Sequence, residues 1–329
     1  MTPTTPQVPT QRPAQPRDAM SHVSPSVESQ LADTASAGPA FVDAGPRPGE
    51  EPDGTAMLRA AVVQYEALLP GAGGAAVEAN VAAQVELVEL AHSRGARLVL
   101  FPELSLTGYE LTAFEVPGGA RWLSQAIQPS PGSQPSPWLT AGDPRLQPLQ
   151  DVCARTGTVA VVGAGWREAD QTPRLASLVV GPDGSVKPVF KTHLHGPERE
   201  LFVSGSGPVV VDVDGWRVAF AICADAAHPA HAGAAAEARA DVYAVSALYT
   251  RGEELRLGLH LGARSMDHRM FGLLANLGGE TPLGPSCGLS GGWGPDGTAL
   301  VRVAGTGTEI AMVSLDRSRL AAYRSTAGA

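Results

Sequence analysis

Residues 58–103, LRAAVVQYEALLPGAGGAAVEANVAAQVELVELAHSRGARLVLFPE, hold the pattern from which the rest of the fold is read. LRAAVVQY (58–65) is a short, continuous apolar run suited to a buried strand. Over 75–94, Val77, Val81, Val85 and Val88 step by four, four and three, the spacing of one helix face. Gly95 stops that helix, and ARLVLF (96–101) returns as a second strand ending at Pro102 and Glu103.

The same rhythm continues outward. DPRLQPLQDVCARTG (143–157) predicts a helix, and TVAVVGAGW (158–166) predicts a strand. SLVVGPDGSVKPVF (177–190) is a hairpin turning at Pro182-Asp183-Gly184, and PVVVDVDGWRVAFAIC (208–223) is another. A helix over about 228–239, the strand DVYAVSAL (241–248), a helix over 253–269, the strand FGLLANLGG (271–279) and two C-terminal hairpins follow. Helices alternating with strands early and hairpins interleaved later imply a mixed α/β sandwich. QPSPGSQPSPW (128–138) breaks the rhythm and reads as a solvated surface insertion, the alternative, from its position after Glu103, being a segment near the mouth of a site.

Residues 1–56 are of another kind. They hold ten of the 28 prolines and three Arg against seven Asp/Glu, with few large apolar residues, and are expected to be disordered. The folded domain is expected over 57–316 and a short tail over 317–329. Met57 directly precedes the first strand, so a translation start there is one expectation, tested by N-terminal mass spectrometry of the native protein.

A net charge of −9 with no Lys/Arg-rich run argues against a nucleic-acid partner. No apolar stretch approaches the roughly 18–20 residues of a membrane span, and no basic start precedes an apolar signal core. Cys153, Cys223 and Cys287 are odd in number and widely spaced, which reads as reduced thiols in a cytoplasmic setting. Neither Gly71–Gly74 nor the SGGWG around Trp293 has phosphate-binding spacing, and the pairs His193/His195 and His228/His231 lack further ligands. No cofactor and no metal are expected.

Three segments supply complementary chemistry: VLFPELSLTGYEL (99–111) around Glu103, VFKTHLHGPERELFVSG (189–205) around Lys191, and VAFAICADAAHP (218–229) around Cys223. Each polar group sits at or just past the end of an apolar run, where a strand delivers a side chain to a sheet edge. A cysteine after VAFAI is ordinarily a core residue, and a lysine or glutamate at a strand end is ordinarily solvated. Together they suit attack on a carbon multiply bonded to a heteroatom. A thiol attacks, a carboxylate takes its proton, and an ammonium stabilises the developing negative charge. The helix expected after Cys223 favours thiolate, and the Ala224 N–H is a candidate oxyanion donor.

In this order, and with spacings of 88 and 32 residues, the segments resemble the glutamate, lysine and cysteine motifs of the nitrilase superfamily, the carbon–nitrogen hydrolases. LLANLGG (273–279) resembles that family's strand with an Asn near its end. The resemblance covers about 57–316 and implies a four-layer α-β-β-α sandwich assembling into homodimers or larger oligomers. It implies Glu103 as general base, Lys191 as oxyanion stabiliser with Ala224 N–H, and Cys223 as the nucleophile that forms a thioester. Glu198, four residues before Phe202, takes the family's second-glutamate role, with Glu200 as the alternative. Tyr109, His193, His195 and Tyr249 are candidate pocket residues by position. The implied function is hydrolysis of a non-peptide C–N bond, most simply in a small amide with release of ammonia, with an N-carbamoyl compound or a nitrile as the alternative. Asp225, two residues after the cysteine, favours an amide; nitrilases typically carry Trp-Glu there, and this chain has Ala224 directly after Cys223.

Competing readings explain less. A peptidase built on Cys223 and His228 leaves Glu103 and Lys191 without a purpose. A silent scaffold on the same fold has no need of Glu103, Lys191, Glu198 and Cys223 together. A membrane acyltransferase lacks spanning segments, and a glutamine-fed synthetase lacks a nucleotide-binding domain.

Overall fold

The computed structural model describes residues 39–44, 56–69, 76–114 and 136–325. In strand β2 (Met57–Gln64), Leu58, Ala60 and Val62 point to one face while Ala61 and Val63 point to the other. That is the period of two of a strand. Both faces are buried, which is why the run is apolar throughout instead of alternating. One face meets helix α1 (Ala76–His92), whose Val77, Val81 and Val88 form the buried stripe expected from their spacing, with Val85 at its margin. The other face meets a second sheet.

The first sheet runs β1 (Ala40–Ala44), β16 (Glu309–Asp316), β2, β3 (Leu98–Leu100), β5 (Val159–Arg167), β6 (Pro173–Val180) and β7 (Val186–Phe190), with β4 (Trp138–Leu139) beside β5. The second runs β15 (Ala299–Arg302), β14 (Gly291–Trp293), β11 (Phe271–Asn276), β10 (Val242–Ala247), β9 (Trp216–Ile222) and β8 (Val209–Val213). Helices α1 and α2 (Gln147–Thr156) cover the first sheet, and α5 (Pro229–Glu237) and α6 (Glu254–His268) cover the second. The result is the α-β-β-α sandwich. Trp216, Phe220 and Phe271 interdigitate with Leu98, Leu100 and Val161 in the middle layer. Each such side chain contributes about 1.5–3 kcal/mol by leaving water.

β2, β3 and β5 pair in parallel, as do β9, β10 and β11. The hairpins expected at 177–190 and 208–223 are β6–β7 and β8–β9. The two C-terminal hairpins are β12 (Glu280–Thr281) with β13 (Gly284–Pro285) and β14 with β15; beyond them lies a strand not expected, β16, which crosses to the first sheet and pairs with β2.

Two boundaries also move. Residues 40–44, assigned by composition to a disordered tail, form β1 on the otherwise open edge of β16. Phe41 and Val42 pack on opposite faces, Arg94 lies over the Phe41 ring at 4.4 Å, and Asp43 pairs with Arg59 at 3.0 Å. A short apolar pair is diluted in a proline-rich average, yet a vacant sheet edge is enough to order it. The expected tail after 316 is helix α7 (Arg317–Ser325). It is held by one buried side chain, Leu320, and by Arg324–Asp241 at 2.8 Å and Arg319–Asp296 at 3.1 Å. One apolar residue leaves no periodicity to read. Residues 1–38 and 45–55, and 128–135 of the insertion, lie outside the described residues. Among the described residues, no helix is long and apolar enough to cross a membrane.

Candidate active site

The ends of strands from both sheets converge on one buried cluster. The chain leaves β3 through Phe101 and Pro102 and turns sharply, with Leu104 at φ +49°. The turn lies against β5 at Gly163, where a Cβ would sit 2.2 Å from Leu104 N and 2.4 Å from Pro102 O. Only glycine permits that approach. Leu106 N–H donates to Gly163 O at 2.9 Å, and Gly163 N–H donates to Ser105 Oγ at 3.0 Å. Glu103 is thereby delivered, fully buried, to the centre of the cluster.

Lys191 follows β7 directly, and its backbone O accepts from Gly205 N–H at 2.8 Å. Its ammonium donates to Glu103 Oε1 at 2.6 Å and to Glu198 Oε1 at 2.7 Å, with all three side chains closed to solvent. Glu198 opens the short helix α3 (Glu198–Leu201) and also accepts from the Tyr109 hydroxyl and, at 2.8 Å, from His195 N–H. Glu200, on the same turn, is exposed. Of the two glutamates left open by the sequence, Glu198 is the one that meets the lysine.

Cys223 joins β9 to α4 (Ala224–Ala227), with φ +45° and ψ −99°, a strained conformation for a residue with a Cβ. Its N–H donates to Ser246 O at 2.9 Å, and the Ser246 hydroxyl donates across to Phe101 O at 2.7 Å. A continuous link thus runs from the cysteine backbone to the strand that ends at Glu103. The thiol donates to Leu248 O at 3.7 Å, and its charge interacts with those of Glu103 and Lys191.

Electrostatics follow from this dry packing. Burial pushes the Glu103 carboxyl up from 4.5 to about 7; Lys191 opposes that shift and Glu198 adds to it. Burial works against the Lys191 charge, but Glu103, Cys223 and Glu198 outweigh it, so the ammonium is held more strongly than in water. Burial, then Glu103, pushes the Cys223 thiol up, against the pull of Lys191. The resting group is a thiol. Burial and the two carboxylates likewise keep the Tyr109 phenol neutral.

The thiol opens into a cavity of about 310 Å³ whose wall includes Tyr109, His195, Ala224, Leu248, Tyr249 and Arg256. Asn276, at the end of β11, pins the loop bearing Leu248 and Tyr249. Its Oδ1 accepts from Tyr249 N–H at 2.7 Å, and its Nδ2 donates to Tyr249 O at 3.1 Å and Gly288 O at 2.9 Å.

Of the residues singled out from sequence, Glu103, Lys191, Glu198 and Cys223 come together, and Ala224, Tyr109, His195 and Tyr249 surround the opening. His193 does not line it. Its ring turns to Asp225 and stacks on His228 at 3.7 Å beside a separate depression. Both histidines were candidates by position; the turn before α3 separates them, so that His195 lines the opening and His193 does not. Gly163, Ser246 and the carboxylate of Asp225 were not singled out as parts of the site. The glycine inside VVGAGW was the signal for the first. Nothing local marked Ser246, whose partner is 145 residues away. Among the described residues, no group of His, Cys, Asp and Glu is arranged to hold a metal ion.

A model of the carbon–nitrogen hydrolase family matches residues 59–325. The amidase from Nesterenkonia sp. AN1, solved as a double mutant in complex with acrylamide, superposes with a TM-score of 0.67 at 22% identity, covering 85% of this chain and 98% of that one. Saccharomyces cerevisiae Nit3, a nitrilase-superfamily member of branch 10, superposes with a TM-score of 0.65 at 18% identity over 82% and 94% of the two chains. In sequence, the chain is 24% identical to the Pseudomonas protegens hydrolase in the pqqF 5' region, over 70% of this chain and 75% of that protein. It is 30% identical to a Pyrococcus abyssi nitrilase over 50% of this chain and 57% of that one. The fold, and a family match that spans nearly the whole described domain, lead to one conclusion: the chain belongs to the carbon–nitrogen hydrolase family, the nitrilase superfamily, and is a cysteine-nucleophile hydrolase.

Proposed function

We propose that the chain hydrolyses a small amide through a thioester on Cys223, releasing ammonia. The observation that carries this reading is the fully buried Lys191 ammonium held between Glu103 and Glu198 beneath a thiol that faces a cavity. Glu103 takes the thiol proton as sulfur bonds to the amide carbon. An ammonium has three N–H donors and two are engaged by the glutamates, so the third serves the carbonyl oxygen as it becomes an oxyanion. The Ala224 N–H, first in α4 and so outside its internal bonding, is the second donor. As the C–N bond breaks, Glu103 returns the proton to the departing nitrogen. Water then gives a proton to Glu103 and its oxygen to the thioester carbon, and the acid leaves as the thiol re-forms. A carboxyl poised near 7 suits a group that must accept and return a proton in every cycle. Glu198 keeps Lys191 charged and aimed, with Tyr109 fixing Glu198.

Asp225 and the likeness to the Nesterenkonia amidase support an amide over a nitrile; the similarity to nitrilases makes the nitrile the second reading. The test is ammonia release from a panel of small amides, N-carbamoyl amino acids and nitriles, beside Cys223→Ala. Release from amides, absent in the variant, is expected. Release from nitriles alone establishes the second reading, and equal release from the variant overturns both. Homo-oligomer formation belongs to the same proposal. It is supported by Leu255, Leu259 and Met266, exposed on α6, and is checked by light scattering.

A further inference from the structure

Lys191 and Cys223 belong to different sheets, which pack face to face through apolar side chains. Apolar packing is non-directional, yet the proposed chemistry needs the ammonium and the sulfur at one fixed spacing. Asp225 supplies a directional link. Its Oδ1 accepts from His193 N–H at 2.8 Å and from His193 Nδ1 at 2.8 Å. Its Oδ2 accepts from Ile222 N–H at 3.0 Å and from Thr192 N–H at 3.4 Å. Thr192 and His193 directly follow the lysine; Ile222 directly precedes the cysteine. A carboxylate only accepts, so His193 Nδ1 carries the hydrogen.

We propose that Asp225 is a positioning residue for the reaction. Its buried carboxylate cross-links the strand end bearing Lys191 to the strand end bearing Cys223, and His193 holds that carboxylate in register. The inference rests on the functional reading above, because it gives the Lys191–Cys223 spacing its purpose. Asp225 itself does no proton transfer. It is buried, four donors fill its lone-pair sites, and it is not part of the cavity wall. The surroundings reinforce the clamp. His228 stacks on His193 with 9° between the rings, and His231, held by Tyr243 at 2.9 Å, places Nε2 3.8 Å from Asp225 Oδ2. An asparagine cannot replace the carboxylate, because its amide nitrogen would face N–H donors on one side.

The test compares Asp225→Asn, His193→Ala and His193→Asn with the wild type on the amide that the ammonia panel identifies. Two quantities are read: kcat per titratable Cys223 thiol with KM, and the rate of Cys223 alkylation by iodoacetamide, followed by mass spectrometry. Asp225→Asn is expected to lower kcat about 100-fold with little change in KM, the scale of a displacement of about 1 Å, and to slow alkylation. His193→Ala, at a partly exposed position, is expected to lose roughly tenfold, the worth of one hydrogen bond to a charged group. His193→Asn, whose Nδ2 can donate in place of Nδ1, should restore most of it. A folded Asp225→Asn with wild-type kcat per thiol and wild-type alkylation overturns the proposal, as does His193→Asn no better than His193→Ala. If Asp225→Asn does not fold, the His193 pair decides. If Cys223→Ala is as active as the wild type, or no substrate turns over, the functional reading is what has failed. Alkylation alone then decides: slower in the variants, the clamp stands; unchanged, it falls.

Discussion

Glu103→Gln is expected to abolish activity and, above neutral pH, to stabilise the fold. Glu103 is fully buried, its Oε2 has no hydrogen-bond partner, and burial raises its carboxyl from 4.5 to about 7 despite Lys191. Below 4.5 the group is protonated whether the chain is folded or not, and its ionisation contributes nothing to stability. As pH rises toward 7 the unfolded chain gives up this proton while the folded chain keeps it, so stability falls with rising pH. At about 1.4 kcal/mol per pH unit, the interval from 4.5 to about 7 amounts to roughly 3 kcal/mol. Glutamine has the same shape, still offers an oxygen to Lys191 and does not titrate. The difference in unfolding free energy between variant and wild type should therefore grow by about 3 kcal/mol in favour of the variant between pH 4.5 and 7.5, and then level off. The assay is urea unfolding of both proteins across that range, since a constant offset from altered packing cancels in the difference. Parallel curves would mean that Lys191 cancels the effect of burial on the carboxyl. A difference of opposite slope would mean that Lys191 holds it below 4.5, and the electrostatic argument for Glu103 would be wrong.

Three further outcomes follow from the same geometry. In the free enzyme the base must be ionised, so kcat/KM should rise with pH to half its limit near 7, and Lys191, whose charge is reinforced, should cause no fall in the range where free lysines lose protons; a pH-rate profile flat from 5 to 8 contradicts this. Gly163→Ala should cost about 1–3 kcal/mol or more and most of the activity, because its Cβ would meet backbone atoms of the Glu103 turn that cannot swing aside; thermal melting and a turnover assay check both. Asn276→Ala should lower stability by about 3 kcal/mol by taking the side-chain partner from Tyr249 N–H and from Gly288 O. It should also reduce kcat by loosening the loop beside the thiol; denaturant unfolding that matches the wild type counts against it.

What could be read from the sequence, and what could not, divides along a physical line. Val77, Val81 and Val88 announced a helix because burial acts on one face at a fixed period, and LRAAVVQY announced a doubly covered strand because both its faces are dry. Glu103, Lys191 and Cys223 were legible because each is a costly group at the end of an apolar run, and their order matches a known family. The links between them were not. Ser246 to Phe101 and Asp225 to His193 join residues 145 and 32 positions apart through hydrogen bonds that leave no local pattern. The same holds for β1 and α7, which are fixed by a vacant strand edge and by ion pairs to distant residues, not by their own composition. His193 was a pocket candidate by position alone, and closeness in sequence to Lys191 does not fix where a ring points once the chain turns toward Asp225.

The cluster also explains why the thiol can wait unreacted. A cysteine used as a nucleophile elsewhere is commonly activated by lowering its pKa, yet here burial and Glu103 push Cys223 the other way. In the proposed mechanism the compensation is that Glu103, the proton acceptor, shares the buried cluster with the thiol and holds the Lys191 cation beside it. The pull of Lys191 on the thiolate is outweighed by burial and Glu103, and in the proposed mechanism the same ammonium serves the carbonyl oxygen as it acquires charge. On that mechanism negative charge is disfavoured on sulfur before substrate binds and favoured on oxygen afterwards, which would stabilise the transition state in preference to the ground state. Two strained corners, at Leu104 and Cys223, and the Ser246 and Asp225 links are what hold the three groups to that arrangement. Loosening any of them should cost rate before it costs the fold.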